Sequence, residues 1–377
     1  AAVAVPVGIA LPDFPWDSLA PHAARAREHA DGICDLSVGS PVDPTPDVVR
    51  EALRAATDAH AYPQTTGTAE LRAAIVDWYA RRRGVSGLDP DAVLPTIGSK
   101  ELVAWLPLLL GLGPGDAVVH PQVAYPTYAV GAALARATAV AADDPALWPA
   151  ETRLVWLNSP GNPTGAVLDV DALRTAVARA HELGAVIVND ECYAELGWEG
   201  PWTDAPAPSI LDPRVVGDGP ATGVLSVYSL SKQSNLAGYR AAFLAGDEQL
   251  VRSILQVRKH AGLMPPAPVQ AAMIAALGDD AHVAEQKERY RARRDALAAA
   301  VRTAGLRIDH SEAGLYLWCT RDEPALDTVA WFAEQGILVA PGTFYEGEQS
   351  RHVRLALTAS DERITAAAAR LVSSSNA

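Results

Sequence analysis

The stretch Gly223-Val224-Leu225-Ser226-Val227-Tyr228-Ser229-Leu230-Ser231-Lys232, followed eight residues later by Arg240, decides how this chain is read. Its apolar, β-prone run opens on Gly223 and places Lys232 just past a strand end, in a loop rather than on a solvated helix face. The lysine is informative because the 31 basic residues include only four lysines (Lys100, Lys232, Lys259 and Lys287), leaving 27 arginines. A guanidinium stays charged, whereas an amine at a buried strand end can deprotonate and form a Schiff base. Taken alone, Lys232 could equally cap a strand; the segments before it decide.

A chain of 377 residues is too long for one simple core and suggests a large domain with a smaller one. The net charge of -14 argues against nucleic acid and against an anionic membrane surface as partners. It leaves room for an acidic small substrate if arginines line the pocket. Cys34, Cys192 and Cys319 form neither a metal-binding spacing nor an even disulfide set, so no metal site is expected and a reducing cytoplasm is the simplest setting. Residues 1–11 are apolar but short and lack a basic start, and read as a flexible arm or processed terminus rather than a signal peptide. Residues 373–377 read as a frayed tail, and no apolar run is long enough to span a bilayer.

Helical periodicity runs over residues 47–60, 69–83, 100–112, 171–182, 248–260, 267–304 (with a break near Gly278) and 325–335. Strand-like runs fall at 117–120, 137–141, 153–157, 185–188 and 224–228. Their alternation between about residues 95 and 245 predicts a mainly parallel sheet covered on both faces. The last third, with strands near 306–309, 315–320 and 352–357 and a final helix from Asp361, is an α+β pattern and reads as a second domain.

In an open α/β sheet, ligands lie beyond the carboxyl ends of the strands. Asn158-Ser159-Pro160-Gly161-Asn162-Pro163-Thr164-Gly165 follows one predicted strand, and Asn189-Asp190-Glu191-Cys192-Tyr193 follows another. An acid ending a buried strand is costly without a cationic partner. Gly98-Ser99-Lys100 opens a helix whose free N–H groups can hold a phosphate, although the spacing is not that of a nucleotide loop.

In this order the motifs resemble the class I/II aminotransferases, pyridoxal 5′-phosphate enzymes of fold type I, over roughly residues 36–370. The resemblance implies a mainly parallel seven-stranded sheet domain flanked by helices (residues 36–260) and a smaller C-terminal α+β domain (261–377), with 1–35 as an arm and part of the small domain. It implies Lys232 as Schiff-base lysine and proton shuttle, Asp190 as partner of the pyridine nitrogen, Asn162 and Tyr193 on the ring oxygen, and Tyr125 stacked on the ring. Gly98, Ser99, Lys100, Ser229, Ser231 and Arg240 would hold the phosphate, with Tyr62 reaching the neighbouring subunit's phosphate in a homodimer that shares its active sites. Arg354 would clamp the substrate α-carboxylate beside Gly39.

Several segments are similar to the actinobacterial N-succinyldiaminopimelate aminotransferases: Leu11-Pro12-Asp13-Phe14-Pro15-Trp16-Asp17, the run from Ile97 to Pro107, the run from Arg258 to Gln270, and Ala313-Gly314-Leu315-Tyr316-Leu317-Trp318 with the later run from Gly336 to Gly342. That likeness implies a lysine-pathway substrate, with glutamate and 2-oxoglutarate as the other amino and keto acid pair. Arg258 and Lys259 are candidates for its remote carboxylates or else solvent-facing helix charges, Lys100 serves either phosphate or substrate, and Tyr316 and Trp16 are pocket walls. A related enzyme for aspartate, aromatic amino acids or kynurenine and a carbon–sulfur lyase remain open on the same residues. A DNA-binding regulator is not, since residues before Asp35 are too few for a winged helix and the charge is acidic.

Overall fold

The computed structural model describes residues 5–375. Its centre is a seven-stranded sheet in the order Val93–Ile97, Ala241–Gly246, Val224–Ser229, Val186–Asp190, Thr152–Asn158, Ala117–His120 and Thr138–Ala141. Ala241–Gly246 is antiparallel to both neighbours and the other adjacent pairs are parallel. The runs Leu-Val-Trp-Leu, Val-Ile-Val and Val-Leu-Ser-Val-Tyr are apolar without alternation because helices cover both faces of the sheet.

Two strands of this sheet were not expected from the sequence. Ala241–Gly246 is alanine-rich and carries no β-branched residue, yet is fully buried. Val93–Ile97 contains Pro95, which argues against a central strand; the fold places it at the sheet edge, where a missing N–H is tolerated. The helix Thr127–Leu134 was also missed. The helix expected over 47–60 ends at Ala55, leaving an exposed loop that carries Tyr62. The long helical run breaks at Gly278, into Ala267–Leu277 and Asp280–Thr303, with the Asp279 side chain accepting from His282 N–H at 3.1 Å.

A second, antiparallel sheet is built from Ala340–Pro341, His352–Ala356, Tyr316–Thr320 and Arg307–Asp309. Cys34–Asp35 pairs in parallel with Ile337–Leu338, so the chain just after the N-terminal arm runs beside the C-terminal sheet. Helix Ala267–Leu277 packs Val269, Ala272, Met273, Ala276 and Leu277 into the core of the large sheet, whereas Tyr290, Leu297 and Val301 of the next helix join the other core. Along these two helices the packing passes from one core to the other after Leu277. Residues 5–14 adopt no regular structure, with Val5, Val7 and Ile9 exposed; Ala1–Ala4 of the expected arm lie outside the described residues. Ser373 and Ser374 close the last helix instead of fraying, and Asn376 and Ala377 of the expected tail lie outside the described residues. Among the described residues no helix is long and apolar enough to cross a membrane.

The large sheet holds a buried ion pair directly beside its ligand end. Helix Ala69–Arg83 starts on Thr68, whose side chain accepts from Leu71 N–H, and ends at Gly84 in the left-handed conformation (φ 65°). Its last residue, Arg83, donates through Nη2 to Glu191 Oε1 at 2.7 Å, both side chains being buried, and through Nη1 to Ala207 O at 2.5 Å. Glu191 also accepts from Ser226 Oγ (3.1 Å), Asn189 Nδ2 (3.0 Å) and Ile210 N–H (2.7 Å). With its lone pairs filled, the carboxylate acts as a fixed post behind strand Val186–Asp190. Removing one member of a buried pair leaves an uncompensated charge and costs roughly 3–5 kcal/mol. Arg83→Met should lower the urea midpoint accordingly, and a midpoint equal to wild type would show that Glu191 does not depend on it.

Candidate active site

Adjacent strand ends converge on one cleft. Asn158 and Asp190 are register partners, as are Asp190 and Val227, so Asn158, Asp190 and Ser229 lie along one edge of the sheet. Ser229 Oγ accepts from Ser231 N–H at 3.1 Å, which starts the short helix Leu230–Gln233 carrying Lys232. Lys232 is half-buried, and its Nζ donates to the Gly39 carbonyl. Residues 37–39 thus enter the cleft as backbone acceptors: Ser37 O takes Trp16 Nε1–H at 3.3 Å, and Val38 O takes the Thr358 hydroxyl at 2.8 Å. A Cβ at Gly39 would overlap the Tyr316 hydroxyl, which gives that glycine a steric reason.

Asp190 is buried and only half satisfied. Its Oδ2 accepts from the Tyr128 hydroxyl at 2.8 Å, while Oδ1 has no partner. Burial pushes the carboxyl above the ordinary aspartate value, against the lowering effect of its neighbours Cys192 and Tyr128. An N–H cation meeting Oδ1 would answer both the empty lone pair and the desolvated charge. Tyr128, in the first turn of the helix Thr127–Leu134, was not singled out in the sequence, although it lies three residues beyond Tyr125, which precedes that helix. The two rings meet edge to face at 6.0 Å.

Toward the sheet edge lies an anion cradle. Gly98 opens helix Gly98–Leu109 at φ 74° and donates its N–H to Arg240 O at 2.8 Å. A Cβ at Gly98 would run into the Arg240 guanidinium, so only glycine lets that cation lie against the helix start. Ser99 Oγ accepts from the Cys192 thiol at 3.7 Å, linking the cradle to the strand end that bears Asp190. Ser229 and Ser231 share a hydroxyl hydrogen bond of 2.8 Å. The Lys100 amine lies over the rings of Phe14 (5.4 Å) and Tyr125 (6.0 Å).

The opposite wall comes from the C-terminal sheet. Arg354 is buried; Nη1 donates to Asn162 Oδ1 at 2.9 Å and Nη2 to Ser37 O at 2.8 Å, while Nε has no partner. Its guanidinium faces the rings of Tyr316 (4.0 Å), Tyr345 (5.1 Å) and Trp16 (5.8 Å). The hydroxyls of Tyr193 and Tyr316 lie 3.1 Å apart. Burial alone would raise both; the Arg354 and Lys232 charges outweigh it at Tyr316, which sits below the ordinary tyrosine value, while burial keeps Tyr193 well above it. Phe344 and Tyr345 extend the aromatic wall, with Trp16 and Phe344 rings 5.0 Å apart. Sequence reasoning singled out neither.

Three expected residues are not in the cleft of this chain. Arg258 was a candidate for the remote end of a substrate, but its side chain is fully buried and bidentate to Glu101, at 2.5 and 3.1 Å, so it has no face to offer there. Lys259, next to it, is exposed. Tyr62 is 94% exposed and touches none of the groups above.

With this geometry in place, comparison with known proteins assigns the class. Residues 31–371 match the family Aminotransferase class I and II, and the chain belongs to it. A probable aminotransferase of Mycobacterium tuberculosis is 56% identical over 366 residues, covering 97% of this chain and 86% of that protein. The 4-dedimethylamino-4-oxo-anhydrotetracycline transaminase OxyQ of Streptomyces rimosus is also 56% identical, over 362 residues, covering 96% of this chain and 99% of that one. Among solved structures, a probable N-succinyldiaminopimelate aminotransferase from Thermus thermophilus aligns with a TM-score of 0.85 at 30% identity, covering 96% of this chain and 100% of the other. The fold is type I and the enzyme is pyridoxal-phosphate-dependent. The residues fit that group: the orphaned Asp190 Oδ1 suits a protonated pyridine nitrogen, and the Gly98–Arg240 cradle suits a phosphate.

The raised Asp190 carboxyl has a consequence for the cofactor-free chain. A carboxyl that binds its proton more tightly folded than unfolded destabilises the fold once ionised. Its stability is complete below the ordinary aspartate value and falls as pH rises through the folded value. Thermal midpoints from acid to neutral pH should show this decline in the cofactor-free wild type and a smaller one in Asp190→Asn; identical profiles would mean that Asp190 is not desolvated as described.

Proposed function

We propose that this aminotransferase exchanges the amino group of N-succinyl-LL-2,6-diaminopimelate with 2-oxoglutarate, in lysine and diaminopimelate biosynthesis. The observation that carries this reading is a pair of cations near Tyr125: buried Arg354, with Nε still free, and Lys100 over the Tyr125 ring. A substrate with a carboxylate at each end fits such a pair, and so does glutamate. The solved Thermus thermophilus relative bears the name of this activity. The aromatic wall of Phe14, Trp16, Phe344 and Tyr345 favours a second reading, a bulky ring ketone of the kind named for OxyQ.

Pyridoxal phosphate, when bound, supplies an electron sink for the bonds at the substrate Cα. The chain's own residues then divide the work. Lys232 Nζ would hold the cofactor and serve as the base for the substrate Cα proton. Asp190 would keep the pyridine nitrogen protonated, and Asn162 and Tyr193 would hold the ring oxygen. Tyr125 would stack on the ring. Gly98, Ser99, Ser229, Ser231 and Arg240 hold the phosphate, while Arg354 and Gly39 orient the α-carboxylate against Tyr316 and Trp16. A homodimer is part of this reading: Tyr62, nearly fully exposed here, would complete the phosphate site of a second copy. So is a cytoplasmic location, in keeping with three free, buried cysteines. The proposed division sets residues 1–35 as arm and part of the small domain, followed by the cofactor-binding and C-terminal domains.

Mixing the yellow protein with N-succinyl-LL-diaminopimelate, without any keto acid, should convert the cofactor band to that of the amine form faster than aspartate or tyrosine does. Conversion only with other amino acids would discard the lysine-pathway reading, and conversion only in the presence of an aromatic polycyclic amine would favour the second. Lys232→Ala should abolish conversion, and retained turnover would sink its role. Arg354→Ala strands a carboxylate contact that is typically worth about 2–5 kcal/mol, so kcat/KM should fall about a hundredfold for every amino acid alike. A loss confined to one substrate would move Arg354 from the common α-carboxylate to a side-chain site.

A further inference from the structure

Arg258 and Glu101 have no part in the chemistry above, yet they meet at the start of the helix that forms the cradle. Glu101 lies in the first turn of Gly98–Leu109, one residue past Lys100. Its Oε1 accepts the Ile97 N–H at 3.0 Å and Arg258 Nη2 at 2.5 Å; its Oε2 accepts Arg258 Nη1 at 3.1 Å. Arg258 comes from the last turn of helix Glu248–Ala261, with its side chain fully buried and Nη2 also reaching Leu263 O at 3.3 Å. An acid in a first helical turn is favourable in an empty protein, because it faces the positive end of the helix dipole. Beside a bound phosphate the same charge is repulsive, since two anions then compete for one helix start.

We propose that Arg258 is a positioning residue for the cofactor phosphate: by its bidentate bond it cancels the Glu101 charge and fixes the first turn, so that Gly98, Ser99 and Arg240 present a net positive cradle. This rests on the reading that those three residues hold the phosphate. The role is electrostatic, which separates it from simple packing. It acts on a ligand that carries the phosphate and not on one that lacks it.

The test titrates full-length, cofactor-stripped protein with pyridoxal phosphate and with pyridoxal, following the imine absorbance. Arg258→Gln should weaken pyridoxal phosphate about tenfold, as expected for a charge uncovered near a helix start, and leave pyridoxal within about twofold. Adding Glu101→Gln to that variant should restore most of the loss. Glu101→Gln alone, which keeps an oxygen for Ile97 and leaves Arg258 uncompensated, should bind pyridoxal phosphate as tightly as wild type or more tightly. The double variant, which strands neither charge, decides the matter if a single variant does not fold: a loss there confined to pyridoxal phosphate would overturn the proposal. Equal losses for both ligands, no loss in Arg258→Gln, or weaker pyridoxal phosphate binding in Glu101→Gln would overturn the proposal. Arg240→Gln is the separate control for the cradle: it should weaken pyridoxal phosphate selectively, and if it does not, the phosphate placement itself falls.

Discussion

Two carboxylates stand next to each other at the end of one buried strand, and the protein treats them in opposite ways. Glu191 is filled by four donors, including the buried Arg83 guanidinium, and is chemically closed. Asp190 receives Tyr128 on one oxygen and nothing on the other. A desolvated anion with a free lone pair is unfavourable on its own and becomes favourable when a cationic N–H arrives. The closed pair holds the strand end in place, and the open acid makes that end a binding site. In the proposed reading, a ring nitrogen meeting Oδ1 would fix where the cofactor lies among the other residues of the cleft.

The second constraint is that the cleft is assembled from both ends of the chain. Residues 34–35 add to the C-terminal part through pairing with 337–338, which brings the carbonyls of Ser37, Val38 and Gly39 against Arg354, Thr358 and Lys232. Arg354 is therefore held by one acceptor from the N-terminal segment and one, Asn162, from the large sheet. A guanidinium tied to two separate parts of the fold reports on their relative position. Small shifts between them would alter the surroundings of Arg354 before they altered either core.

Arginine at 258 shows how the same residue type reads differently once its surroundings are known. On the sequence it is a cation in a basic helix end, beside Lys259 and His260, and suits an anionic substrate. In the fold its neighbour Lys259 is exposed while Arg258 turns inward onto Glu101, 157 residues away. Burial without a partner would be prohibitive, so the pairing with Glu101 is what permits that position.

The sequence by itself determined the parallel core and the strand-end motifs, because unbroken apolar runs closed by Asn158, Asp190 and Ser229 leave little choice of structure. Through its resemblance to a known family it also singled out Lys232, Asp190, Asn162, Arg240 and Arg354 as site candidates. It did not mark the antiparallel strand 241–246 or the edge strand 93–97, since alanine and proline are weak strand signals that only sheet neighbours override. Nor did it mark Tyr128, Phe344, Tyr345 or the carbonyl of Ser37, because their roles depend on what they face across the cleft. Contacts between residues hundreds of positions apart carry no local pattern. Tertiary structure alone decided that Arg258 is consumed in holding a helix and is not free to meet a substrate, since a charge is assigned its task by its partner and its access to water.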